Sequence, residues 1–141
     1  MKEEEYRKNV YLLQRHQEQM EDLYAQAEVL EKLIEDYNNA METLNEMVSL
    51  EGEKEALMPI GGNVFAFVEI KDMRKVIVNV GGKVYVEKPI NGAIDFINRK
   101  IEELKKNQRK LLRAAEEIRS KMEEIIEKIK SEDVQVSEKK D

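Results

Sequence analysis

Apolar residues along this chain follow two rhythms. From Ile90 onward they recur at alternating steps of four and three: Ile90, Ile94, Ile97, Ile101, Leu104, the polar Gln108, then Leu111, Ala115, Ile118, Met122, Ile125 and Ile129. A heptad seam kept for so many repeats predicts a coiled-coil helix rather than an ordinary surface helix. The first third gives Tyr6, Val10, Leu13, Gln17, Met20, Leu23, Ala27, Leu30, Ile34, Tyr37, Met41, Leu44 and Val48. Gln17, Met20 and Leu23 make two successive steps of three, a stammer predicted to overwind the supercoil locally. The centre has period two: Val64, Ala66, Val68 and Ile70 alternate with Phe65, Phe67 and Glu69, and Val76, Val78 and Val80 alternate with Ile77 and Asn79. That is the pattern of half-buried strands.

The two arms are predicted to mate. With Val48 set opposite Ile94, Leu44 meets Ile97, Leu30 meets Leu111, Ala27 meets Ala115, Met20 meets Met122 and Leu13 meets Ile129. Position numbers in every layer add to 141 or 142. The arms then form an antiparallel two-helix hairpin, with the centre inserted at the closed end and both termini at the open end. Each arm of about 40–45 residues would span roughly 60–68 Å at 1.5 Å per residue.

All six glycines and both prolines lie from Gly52 to Gly92, inside the period-two region. There, Ile60-Gly61-Gly62-Asn63-Val64-Phe65 recurs twenty residues later as Val80-Gly81-Gly82-Lys83-Val84-Tyr85. A Gly-Gly pair between β-branched runs predicts a tight hairpin, because type I′ and II′ turns need positive φ. The expected strands are 55–60, 64–70, 75–80 and 83–87, with Pro59 at an edge, Gly52 closing the first arm and Asn91 capping the second. The competing reading of Gly61, Gly62, Gly81 and Gly82 as phosphate loops fails, since no helix with a Lys-Ser/Thr signature follows.

Composition removes several classes. There is no Cys and one His, so disulfide scaffolds, thiol catalysis, Cys-based zinc and His-rich metal sites drop out. No apolar run approaches the ~20 residues of a membrane span, and residues 1–11 are too charged for a signal peptide's apolar core. A cytoplasmic, non-membrane protein is expected. His16 is read as a side chain beside the seam, solvated or partly packed. No catalytic, metal or cofactor constellation is visible, and a two-helix seam offers no pocket that could desolvate a substrate.

Charge bears on pairing. Residues 1–51 hold 13 acids and 5 bases, whereas 91–130 hold 8 acids and 11 bases, within a chain of net charge −6. Residues 99–113 carry seven bases, and residues 28–43, predicted to lie beside them, are acidic. Opposite flanks favour pairing of the arms. A nucleic-acid role for that basic stretch lacks interleaved aromatics, and the acidic balance argues against such a partner. Two hairpins of about 33 residues cannot cover both their faces and edges. Oligomerisation through Met58, Ile60, Val64, Phe65, Phe67, Ile77, Val78, Val80, Val84 and Tyr85, closing a multi-chain sheet or barrel, is therefore expected.

A long helix, two Gly-turn hairpins and a returning helix resemble the alpha-class subunits of prefoldin. The most specific stretches are Leu57-Met58-Pro59-Ile60-Gly61, similar to the family's L-V-P-[IV]-G, and Lys75-Val76-Ile77-Val78-Asn79-Val80-Gly81, similar to K-V-I-V-S-V-G. Two hairpins mark the alpha class, and one marks the beta class. The family commonly has Gly-Ala-Gly at the turns, where this chain has Gly-Gly-Asn and Gly-Gly-Lys. The short, Cys-free form looks archaeal.

The resemblance implies an α+β chain: a long antiparallel coiled coil whose inserted hairpins join an oligomeric β-barrel. It implies prefoldin beta subunits as partners, in a hexamer of two alpha and four beta chains. Unfolded client proteins would be held without ATP and passed to a group II chaperonin. The organisation expected is a first helix over 1–51, a platform over 52–90, a second helix over 91–130 and a disordered tail over 131–141. Client contact falls to residues at the open end, Tyr6, Val10, Leu13, Met122, Ile125, Ile126 and Ile129, where fraying would expose the seam. The alternative is a structural homo-oligomer or filament built on the same β platform.

Overall fold

The computed structural model describes residues 2–50 and 55–139, with side chains through Glu132. Helix α1 runs Glu3–Ser49, followed by strands β1 Glu55–Gly61, β2 Val64–Glu69, β3 Lys75–Gly81 and β4 Val84–Pro89, and then helix α2 Ile90–Lys139. The α+β architecture matches the expectation. Gly52 falls outside the described residues.

Both helices form where the sequence lacks breakers. Glu3, Glu4 and Glu5 in the first turn of α1 suit the positive end of its dipole. At the other end the Leu50 N–H donates to the Glu46 carbonyl, and Ser49 Oγ donates to the same oxygen. Helix α2 begins one residue before the expected cap: Ile90 is its first residue, and the Ile90 N–H donates to the Arg74 carbonyl at 2.9 Å. Asn91 is thus inside the helix, because Pro89 ends β4 and the helix starts directly behind it. Helix α2 also continues through Lys139 instead of stopping near residue 130. Nothing in 131–139 breaks a helix, since that stretch has neither Gly nor Pro.

The hairpins form separate two-stranded antiparallel sheets, β1–β2 and β3–β4. Met58 faces Ala66 and Leu57 faces Phe67 in the first, while Val78 faces Val86 and Asn79 faces Tyr85 in the second. Each register shifts by one residue at the turn. The turn centres are therefore Gly62-Asn63 and Gly82-Lys83, not the Gly-Gly pairs. Gly62 and Asn63 both have positive φ, 55° and 61°, as a type I′ turn requires. In the second turn only Gly82 does, at 56°, the φ pattern of type II′. Gly61 and Gly81, with φ of 114° and 150°, supply the bulge positions just before each turn.

The chain divides into two compact units. One comprises residues up to Leu33 together with those from Leu104 onward. The other runs Ile34–Glu103 and contains both hairpins.

In the first unit the observed seam of α1 is Asn9, Leu13, His16, Met20, Leu23, Ala27 and Leu30, all buried or half-buried. His16 takes the place predicted for Gln17, which is exposed and donates to Glu21 at 2.8 Å. The stammer disappears. The steps 13–16–20–23–27 are a regular heptad, and the helix keeps it by admitting an imidazole.

In both units the seam of α2 follows the predicted series, with Ala93, 0% exposed, added at its start. On α1, Met47 is half-buried and Val48 exposed, the reverse of the expected layer.

The pairing register also differs. Gln108 Nε2 donates to the Ala27 carbonyl at 3.3 Å and to Glu31 at 2.6 Å. The predicted layering would have put Gln108 near Ile34, so α2 is displaced along α1 by about one turn. A heptad pattern repeats, and a seam displaced by half a repeat is still apolar on both sides. Hydrogen bonding of Gln108, the polar member of the α2 seam, distinguishes the two registers.

Candidate functional surfaces

Among the described residues, every buried apolar residue belongs to a helix: Ala27, Ile34, Leu44, Ile90, Ala93, Ile97, Ile101 and Ala115. The strands bury none. One hairpin face is half-covered through Ala56, Ala66, Val68, Val76, Val78 and Val80. The other is open, with Phe67 90% exposed, Ile77 72% and Tyr85 65%. Of the ten residues predicted for the oligomer interface, Met58, Ile60, Val64, Phe65, Phe67, Ile77, Val84 and Tyr85 are exposed, while Val78 and Val80 are half-buried. The prediction missed Leu57 and Val86, both exposed. Period two was the available signal, since Leu57 pairs with Phe67 on the open face. Because each sheet has two strands, every strand is an edge with unsatisfied backbone groups.

Side chains stiffen the second hairpin. Asn79 Nδ2 donates to the Gly82 carbonyl at 3.1 Å, and its Oδ1 accepts from the Gly81 N–H at 2.9 Å, so one amide spans the turn. Lys75 Nζ meets Glu87 at 2.8 Å across β3 and β4, and this hydrogen bond raises the lysine pKa above its ordinary value. In the link between hairpins, the Arg74 N–H donates to Asp72 at 2.8 Å and holds that carboxyl below the usual carboxylate range. Lys75 is exposed and Asp72 is half-buried at the surface, so these are local devices with small effects on stability.

At the termini, the open-end residues split into two sets. Tyr6 and Ile126 are exposed, whereas Val10, Leu13, Met122, Ile125 and Ile129 are half-buried. Sequence reasoning passed over Asn9, which is buried, and Tyr11 and Leu12, which are exposed. Lys128 Nζ reaches Glu5 at 3.6 Å, so the first turns of α1 adjoin α2 near residue 128. The predicted charge pairing of residues 99–113 with acids of the other arm is different in kind. Lys105, Lys106, Arg109, Lys110 and Arg113 have no ion-pair partner among the described residues. They sit on the side of α2 away from its seam. No group of His, Cys, Asp and Glu suited to a metal occurs among the described residues, nor is any helix long and apolar enough to cross a membrane.

A family model described as Prefoldin subunit matches residues 16–135. The chain belongs to the prefoldin family. It is 34% identical over 123 residues to the prefoldin subunit alpha of Archaeoglobus fulgidus, covering 87% of this chain and 90% of the relative. With the prefoldin subunit alpha of Methanococcus aeolicus the identity is 31% over 138 residues, covering 96% and 91%. Among solved structures, the cryo-EM structure of filamentous PFD from Methanocaldococcus jannaschii matches with a TM-score of 0.73 and 26% identity, over 82% of this chain and 96% of that one. Prefoldin alpha subunits are chaperones and not enzymes, and the family forms oligomeric complexes. The two-hairpin insertion expected of the alpha class is present.

Proposed function

We propose that this chain is the alpha subunit of an ATP-independent holdase. Its hairpins join those of beta-class subunits in a hexamer of two alpha and four beta chains, within the cytoplasm. The open ends of the coiled coils hold unfolded proteins and hand them to a group II chaperonin. One observation supports the assembly step above all: the open hairpin face, with Phe67, Ile77 and Tyr85 wet beside unpaired edges, in a chain whose buried residues, among those described, are all helical. Burying such a face at about 25 cal/mol per Å² favours association strongly. For capture, the exposed Tyr6 and Ile126 and the half-buried Val10, Leu13, Met122, Ile125 and Ile129 offer apolar surface when the helix ends fray. Met122 adapts readily to varied segments. Weak contacts at several ends add through multivalency.

The test is suppression of aggregation of an unfolded client by the complex assembled with a beta-class partner. Deleting residues 1–11 and 121–141 weakens capture and leaves assembly intact; unchanged capture overturns the role of these ends. A second reading, a homo-oligomer or filament of this chain alone, draws support from the filamentous neighbour. Native mass spectrometry separates the two. A stoichiometric mixed hexamer supports the first reading, and length-distributed polymers of this chain in the partner's presence support the second.

A further inference from the structure

Residues 105–113 carry five cations and no acid. At about 100° per residue, Lys105, Lys106, Arg109, Lys110 and Arg113 fall within an arc of about 140°, nearly opposite the seam of Leu104, Gln108, Leu111 and Ala115. All five are exposed, and none has an ion-pair or hydrogen-bond partner among the described residues. Like charges on adjacent turns repel one another. Further along, α2 relieves such repulsion: Arg119 lies between Glu116 and Glu123, at 4.0 and 3.8 Å. The stretch 105–113 keeps its repulsion.

The spacing suggests what would relieve it. Lys105, Arg109 and Arg113 form one row and Lys106 and Lys110 another, each stepping about 6 Å along the helix. Alternate side chains of an extended polypeptide recur every 6.6–6.8 Å or so. Carboxylates at every second position of such a segment therefore come into register with either row, and the arginines can take them bidentately. Nucleic acid fits less well. The chain carries a net charge of −6, and Phe96 is the sole aromatic residue between 90 and 139, which leaves no stacking platform beside the cations.

We infer that the outer face of α2 over residues 105–113 binds acidic, extended polypeptide segments. None of these five residues is among those proposed for assembly or client contact, so the inference does not depend on the proposed client contacts.

The test is fluorescence anisotropy of the full-length chain with a labelled glutamate peptide of about twelve residues, compared with a thymidine oligonucleotide of similar charge. The peptide should bind saturably at low ionic strength and more tightly than the oligonucleotide, and it should weaken as salt screens the contact. Replacing all five with Gln (Lys105→Gln, Lys106→Gln, Arg109→Gln, Lys110→Gln, Arg113→Gln) should reduce affinity about tenfold or more. The helix should persist, because Gln is a good helix former. Lys105→Arg, Lys106→Arg and Lys110→Arg together should retain binding. Absence of saturable peptide binding, equal binding by the Gln variant, or tighter binding of the oligonucleotide would each overturn the inference.

Discussion

The arms and the hairpins place their apolar residues in opposite ways. The arms are the more charged part of the chain, yet they hold every buried apolar residue among those described, from Ala27 to Ala115. The hairpins have the denser run of β-branched and aromatic residues and bury none of them. A two-helix seam closes on itself because each helix needs only one covered stripe. A two-stranded sheet has two faces and two edges, and a single chain this short supplies nothing to cover all of them. Stability within the chain therefore belongs to the arms, and the centre is the part proposed to associate.

The sharpest way to break that division is to charge the open hairpin face. Phe65→Asp combined with Ile77→Asp should abolish oligomerisation while far-UV circular dichroism shows the helices largely intact. Retained assembly by native mass spectrometry would show that the arms, not the hairpins, hold subunits together. The complementary change is in the seam. Ile101 is 5% exposed, so Ile101→Ala should cost about 2–4 kcal/mol. It should lower the melting temperature of the helices, and assembly below that temperature should survive.

The elements were legible in the sequence because each follows a local rule. Heptads define α1 and α2, alternation defines the four strands, and Gly61, Gly62, Gly81 and Gly82 mark the turns. The open hairpin face was legible too, since period two separates Phe65 and Phe67 from Ala66 and Val68. What stayed hidden depends on a choice between equivalent local solutions. His16 and Gln17 are neighbours at the edge of one stripe, and only packing selects the imidazole. Registers one turn apart both give apolar layers, so Gln108 decides between them with bonds that no pattern reveals. For the open end, the same residues serve the seam and the proposed client contact, so hydrophobicity alone does not separate the two roles.

Gln108 gives a subtler test of the arms. Gln108→Leu removes both bonds to α1 and lengthens the apolar seam, so stability should change by no more than about 1 kcal/mol. Register should loosen instead. Spin labels at Glu28→Cys and Arg109→Cys, both exposed, should show a broadened or doubled distance distribution. A single unchanged narrow distance would mean that other layers fix the register.

The smallest effect belongs to the link between hairpins. The lowered pKa of Asp72 means that its turn is stabilised above the ordinary carboxylate range and loses that support as pH falls through the lowered value. Lys75 behaves in the opposite sense, its contribution being present below its ordinary pKa and lost as pH rises through the raised one. Amide exchange at Arg74, followed by NMR, should quicken relative to its neighbours on acidification. Asp72→Asn should blunt that dependence.

Hydrogen exchange on the isolated chain and on the assembled complex tests the division of labour most directly. Amides in β1–β4 should exchange quickly in the isolated chain and become protected on assembly, while seam amides of α1 and α2 should stay protected in both. Strands already protected in the isolated chain, or new protection confined to the helices, would contradict it.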